Sequence, residues 1–108
     1  MSLKKLQYPG SLERDFQSKV IKQLEDLFPG AIVLKNDANY LQGFPDLTIL
    51  EGRHWGVLET KRGLKSSHQP NQDYYVETCN QYSFGKFINQ ENLDEVLSDL
   101  QQAFRSNW

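Results

Sequence analysis

The chain has one cysteine, two histidines and no long apolar run, and each shortage removes a class of explanation. A lone Cys79 cannot close an intrachain disulfide, and it cannot supply a zinc site built on several thiolates. His54 and His68 stand apart in the sequence, neither beside a second soft ligand. No apolar stretch approaches the roughly 20 residues of a membrane-spanning helix, and the N-terminus lacks the apolar segment of a signal peptide. A soluble cytoplasmic protein without a membrane partner is the expectation. Positive charge is also in short supply, with 12 Lys and Arg against 14 Asp and Glu and a formal net charge of −2. Overall charge therefore gives no tight non-specific attraction to nucleic acid. Such a partner would have to be held by a local basic patch, by metal ions or by a dimer.

What remains is an ordinary globular composition, 38% hydrophobic and 24% charged over 108 residues, without a low-complexity tract. That length fits one domain, residues 1–108, with a single core. Met1 to Gly10 reads as a leader ending in a Tyr-Pro-Gly turn. Ser11 is a good N-cap for a helix over Leu12 to Phe28, which Pro29-Gly30 stops. Ala31 to Lys35 is a short β-like run, and Asn36 to Phe44, polar and glycine-containing, is a loop or a poorly patterned strand. Asp46 to Lys61 reads as a hairpin, and Pro70 to Gln81 as a second helix opened by proline. Ser83 to Ile88 alternates as a strand does. Asn92 forms a capping box with Glu95 and starts a last helix. The order α-β-β-β-α-β-α predicts an α+β domain with a mixed sheet flanked by helices. Tyr74, Tyr75, Phe84 and Phe87 are expected in the core, while Tyr40 in the loop is open to either a core or a base-stacking reading. Trp55 and Trp108 are candidates for a dimer surface.

The hairpin carries the chemistry. Folding symmetrically about Gly52-Arg53 pairs Leu50 with Trp55, and the same register sets Asp46 opposite Glu59. Opposed residues have Cβ atoms about 4.5–5.5 Å apart, where like charges repel. Two acids placed so closely among apolar neighbours point to a divalent cation. Lys61, two residues past Glu59, faces the same side of the sheet. Two oxygen ligands and an ammonium on one face suit phosphodiester cleavage. For Asp46 alone, turn capping is the plainer reading, since Pro-Asp is common turn chemistry; the acid opposite outweighs it.

Helix one adds a third acid. Leu12, Phe16, Val20, Ile21, Leu24, Leu27 and Phe28 form an apolar stripe, and Glu13 falls near its middle rather than with Arg14, Asp15, Lys22 and Asp26. A carboxylate there is costly unless paired or coordinated. Either Glu13 is a first-turn acid favoured by the helix dipole, or it reaches Asp46 and Glu59 to complete a three-carboxylate site, with Gln17 in support one turn on.

An acid on the first helix, Pro45-Asp46 opening one strand and Glu59-Thr60-Lys61 on the next resemble the PD-(D/E)XK nuclease superfamily. The element order resembles its restriction-endonuclease-like αβββαβ core over Ser11 to Ile88, followed here by a C-terminal helix. Gly43-Phe44-Pro45-Asp46-Leu47 and Leu58-Glu59-Thr60-Lys61, with Gln72 on a helix, are similar to the small VRR-NUC branch. His68 to Tyr75 looks like the segment that carries the helix glutamine in phage-encoded members. The resemblance implies a metal-dependent endonuclease for DNA, with branched, junction or nicked DNA as candidate substrates, working as a homodimer, in the host cytoplasm if phage-encoded. It implies Mg²⁺ or Mn²⁺ held by Glu13, Asp46, Glu59 and the Thr60 carbonyl. Lys61 would orient or deprotonate the attacking water, or offset charge developing on phosphorus. Gln72 would hydrogen-bond the water, the lysine or a carboxylate, unless it is merely a solvated helix residue. Arg62, Lys65 and His68 would hold flanking phosphates, although such groups in a loop are often only solvated; Lys4, Lys5 and Lys35 are weaker candidates. Two other readings stay open: a catalytically inactive nucleic-acid-binding or interaction module with this fold, and a plain α/β interaction protein whose acids form salt bridges.

Overall fold

Apolar periodicity on three helices and strand-forming residues in four short runs assemble into one sheet with helices on both faces. A computed structural model describes residues 9–63 and 66–106, with side chains described over 14–63 and 66–105. The elements are α1 (Pro9–Leu27), β1 (Ile32–Lys35), β2 (Leu47–Glu51), β3 (His54–Thr60), α2 (Pro70–Tyr82), β4 (Gly85–Ile88) and α3 (Leu93–Ser106). The strands lie in the order β1-β2-β3-β4. β1 and β2 run antiparallel, as do β2 and β3, whereas β4 joins β3 in parallel after the α2 crossover. This is the expected α+β arrangement, an αβββαβ core with a mixed sheet and an added C-terminal helix.

The β2–β3 register is the symmetric one: Leu50 faces Trp55 and Leu47 faces Leu58. Gly52 takes φ +62°, at the first central position of a two-residue hairpin loop, where the type II′ turn requires glycine. Because side chains alternate, Leu47, Ile49 and Leu58 share one face of the sheet. They pack with Phe16, Val20 and Leu24 of α1 and with Val96, Leu97, Leu100 and Phe104 of α3. Residues 57 and 59 point to the opposite face, towards α2, which packs on β3 and β4. α2 leaves β1 and part of β2 uncovered, and Ile32, Leu34 and Leu50 are exposed there. Cys79, on the buried side of α2, is desolvated, and that raises its thiol above the ordinary range.

Several local expectations need correction. α1 begins at Pro9, so Ser11 lies inside the helix rather than capping it; proline is at home in a first turn, where its missing N–H leaves nothing unpaired. The remaining leader, 1–8, with Lys4 and Lys5, lies outside the described residues, as does Trp108. Leu27 is 36% exposed at the helix end instead of closing the stripe. Asn92 does not pair with Glu95. Its Oδ1 accepts from the Asn89 N–H at 2.8 Å, while Asn89 Oδ1 accepts from the Asn92 N–H at 2.9 Å. The reciprocal box thus sits one turn earlier, because Asn89 offers the same side-chain acceptor three residues upstream. Tyr74 is 61% exposed; Phe84 is core as expected, and Tyr75 and Phe87 are half-buried.

Candidate active site

The end of the sheet where β2 starts and β3 finishes is flanked by the N-terminal halves of α1 and α2. β3 leaves Glu59 and Thr60 buried, at 5% and 0% exposure. Residues 59 and 60 point to opposite faces, so one neighbours α2 and the other α1. Asp46 immediately precedes β2 and reaches both. Its backbone N–H donates to Glu59 Oε1 at 3.1 Å. Its Oδ2 accepts from the Thr60 N–H at 3.1 Å and from the Thr60 hydroxyl at 2.6 Å. Gln17 Nε2 approaches the same hydroxyl at 3.4 Å. Asp46 Oδ1 accepts no hydrogen bond among the described residues.

From the α2 side, Gln72 ties the acid to the lysine. Its Nε2 donates to Glu59 Oε2 at 3.0 Å, and its Oε1 accepts from Lys61 Nζ at 2.8 Å. The same Oε1 accepts from the Gln69 N–H at 3.1 Å, part of the box that caps α2. The cap therefore fixes the glutamine, and the glutamine fixes two charged groups. Lys61 Nζ also donates to the Ser67 carbonyl at 3.0 Å and stands 3.9 Å from Glu59 Oε2, with its side chain only 12% exposed. An ammonium has three donors, and hydrogen bonds among the described residues use two of them.

Of the residues expected in the site, Asp46, Glu59, Thr60, Lys61 and Gln72 are brought together, and Gln17 touches them. Glu13 has its backbone in α1, but its side chain lies outside the described residues. Among the described residues, no group of three or more His, Cys, Asp and Glu side chains is placed to hold a metal ion. Arg62 is exposed and lines a polar cleft of about 250 Å³ with Lys61, Ser66 and Ser67. His68 Nδ1 stands 3.0 Å from Asp73 Oδ1, and its ring stacks on Phe87 with centroids 3.9 Å apart. Lys65 lies outside the described residues, and Lys35 is exposed at the end of β1.

Two participants were missed in the sequence. The Thr60 side chain, rather than its carbonyl alone, grips Asp46. Asn36 holds the approach to Asp46, with Nδ2 donating to the Pro45 carbonyl and to Thr48 Oγ1 at 2.8 Å each and its N–H donating to the Asp46 carbonyl at 2.7 Å. A threonine beside a buried acid and an asparagine closing a strand were the available signals.

The chain is an α+β domain with two acids and a lysine gathered at one end of its sheet. No family model matches the chain, and no curated protein matches it. Among solved structures, the chain is similar to one described as "VRR_NUC domain", with TM-score 0.65 and 21% identity over 81% of this chain and 95% of that one. A second, described as "VRR_NUC domain protein", has TM-score 0.62 and 18% identity over 87% of this chain and 88% of that one. The chain has the fold of a VRR_NUC domain. No helix among the described residues is long and apolar enough to cross a membrane.

Proposed function

We propose that the protein is a metal-dependent endonuclease hydrolysing DNA phosphodiester bonds, with preference for branched or junction DNA. The observation that carries this reading is the hydrogen-bonded chain Asp46–Glu59–Gln72–Lys61, in which two acids and an ammonium are fixed at one sheet end. A binding module has no need to hold two carboxylates beside a phosphate, and a plain interaction protein has no need to hold the lysine next to them.

The donor set fits a hard divalent cation. Mg²⁺ and Mn²⁺ take oxygen ligands, and Asp46 keeps one carboxylate oxygen without a protein partner among the described residues. In this reading Asp46 and Glu59 hold the ion, with Glu13 and the Thr60 carbonyl as further ligands. A bound cation supplies Lewis-acid charge and a water acidic enough to attack near neutral pH. The chain's own residues do the rest. Thr60 fixes the Asp46 carboxylate through two donors to one oxygen. Gln72 positions Glu59 and Lys61 without itself reacting. Lys61, held at Ser67 and Gln72, directs its remaining N–H towards the attacking water or towards charge developing on the phosphoryl oxygens. Arg62 and His68 flank this end and, together with Lys65, hold neighbouring phosphates. A two-fold dimer extends the small footprint of one domain, and the exposed Ile32, Leu34 and Leu50 provide apolar surface for it.

The test is incubation with linear, nicked, single-stranded and four-way-junction DNA, with Mg²⁺ or Mn²⁺ and with chelator. Metal-dependent cleavage, strongest on the junction, and its loss in Asp46→Asn and Glu59→Gln support the reading. Both variants cutting as well as wild type would remove it, and metal-independent binding without cleavage would favour the inactive-module alternative.

A further inference from the structure

Cleavage chemistry leaves one feature beside Asp46 unused. Tyr40, in the loop between β1 and β2, is 88% exposed. A single exposed aromatic is unremarkable, but this one borders a cleft of about 370 Å³ lined by Asn36, Asp37, Tyr40, Leu41 and Phe44. Small-molecule sites span about 300–1,000 Å³. The loop is held by its own hydrogen bonds. The Tyr40 N–H donates to the Asp37 carbonyl at 3.1 Å, the Asn39 N–H to Asp37 Oδ1 at 2.8 Å and the Phe44 N–H to the Leu41 carbonyl at 3.2 Å. Asn71 on α2 donates to the Gln42 carbonyl at 3.0 Å. Asn36 donates to the Asp46 carbonyl at 2.7 Å, and Phe44 is separated from Asp46 by Pro45 alone. The cleft's wall is therefore tied to Asp46 through Asn36, which bonds the Pro45 and Asp46 carbonyls, and through the short link from Phe44.

Its chemistry selects the occupant. No lysine or arginine lines the cleft and Asp37 does, so it repels a phosphate. Aromatic and aliphatic walls with a polar end at Asn36 and Asp37 suit a flat group with apolar faces and a hydrogen-bonding edge. In a nucleic acid lying across Asp46, that group is a base. Bases inside a duplex are stacked and paired, and extruding one costs energy that an already unpaired nucleotide does not require. We propose that the Tyr40–Leu41–Phe44 cleft takes one unpaired nucleobase next to the scissile phosphate, so that the site selects DNA that can free a nucleotide from pairing beside the cut, as a branch point does when it opens. This rests on the reading of the Asp46–Glu59 end as a nucleic-acid site. Tyr40 acts here as a positioning and selecting residue, not as part of the hydrolytic set.

The experiment uses the full chain with chelator, so that no strand is cut, and a 2-aminopurine-labelled oligonucleotide either single-stranded or fully paired. Stacking on Tyr40 quenches the single-stranded probe in wild type. Tyr40→Phe keeps the quench, because every base stacks on an aromatic face. Tyr40→Ala abolishes it and weakens single-strand binding about tenfold, equivalent to about 1.4 kcal/mol, while duplex affinity is unchanged. With its side chain in solvent, Tyr40 can be truncated without disturbing the core, which circular dichroism checks. Equal quenching by wild type and Tyr40→Ala, no quenching by wild type, or equal loss on both probes overturns the inference. Failure of the nuclease reading shows separately, as cleavage unaffected by Asp46→Asn.

Discussion

Asp46 holds Glu59 with its own backbone: the Asp46 N–H donates to Glu59 Oε1 at 3.1 Å. The two acids are thereby linked through a neutral donor rather than left as an opposed like-charge pair, and each carboxylate is oriented independently. Thr60 does the same for Asp46 and Gln72 for Glu59. Among the described residues, each carboxylate is held by neutral donors, with Lys61 3.9 Å from Glu59.

Gln72 is the joint of this arrangement, so its truncation should have effects beyond one lost contact. Gln72→Ala leaves buried Glu59 Oε2 without its amide donor and Lys61 with one acceptor, the Ser67 carbonyl, in place of two. Stranding a buried polar group costs about 1–3 kcal/mol, which urea denaturation would read as a lower midpoint at unchanged slope. Cleavage should fall with it. Gln72→Glu should do worse than alanine in activity, because it sets a third negative charge against Glu59 while keeping the shape.

Under the proposed function, a Lys61 variant distinguishes metal binding from chemistry. It sits 3.9 Å from Glu59 Oε2, where its charge opposes any cation entering the site. Lys61→Met keeps the aliphatic stem and removes that repulsion. The variant should bind Mg²⁺ or Mn²⁺ as tightly as wild type or more tightly in calorimetric titration, yet cleave at least 10²-fold more slowly if the ammonium stabilises transition-state charge. Weakened metal binding together with full activity would show that the lysine is only an ion-pair partner.

Much of this was legible in the chain, for reasons that differ by residue. The hairpin register followed from Gly52-Arg53, since a two-residue loop fixes which residues face each other, and Asp46, Glu59 and Lys61 followed from the register. The stripe Phe16, Val20 and Leu24 followed from helical periodicity. Gln72 stood between two readings because a polar residue in a first turn carries no periodic signal; only the position of α2 over β3 decides it. The grip of Thr60 on Asp46 was hidden for a related reason. Alternation sends residue 60 to the face opposite Glu59, and only the position of Asp46 at the sheet's end lets it reach both. The Asn92 box failed because two asparagines three residues apart compete for the same cap, and spacing to Glu95 cannot rank them.

Gly43 is the point where the loop before Asp46 presses on α2. Its φ is +90°, and a Cβ there would collide with the Asn71 side chain. Gly43→Ala should therefore cost about 1–3 kcal/mol from backbone strain, lowering the urea midpoint. Cleavage should also fall, since the displaced loop carries Pro45 and Asp46. Asn71→Ala in the same background relieves the collision but not the strain, and should restore only part of the stability.

The most direct measurement is the thermal midpoint of wild type and Asp46→Asn as Mg²⁺ or Mn²⁺ is titrated. A ligand that binds only the native state at 100 times its dissociation constant stabilises by about 2.7 kcal/mol, and each kcal/mol is worth about 4–8 °C in a domain near this size. Wild type should show a saturable upward shift of that order, and Asp46→Asn, which keeps an acceptor for Thr60 but loses the charge, should show little or none. An equal shift in both proteins, or no shift in wild type at saturating metal, would contradict a cation held by Asp46 and Glu59.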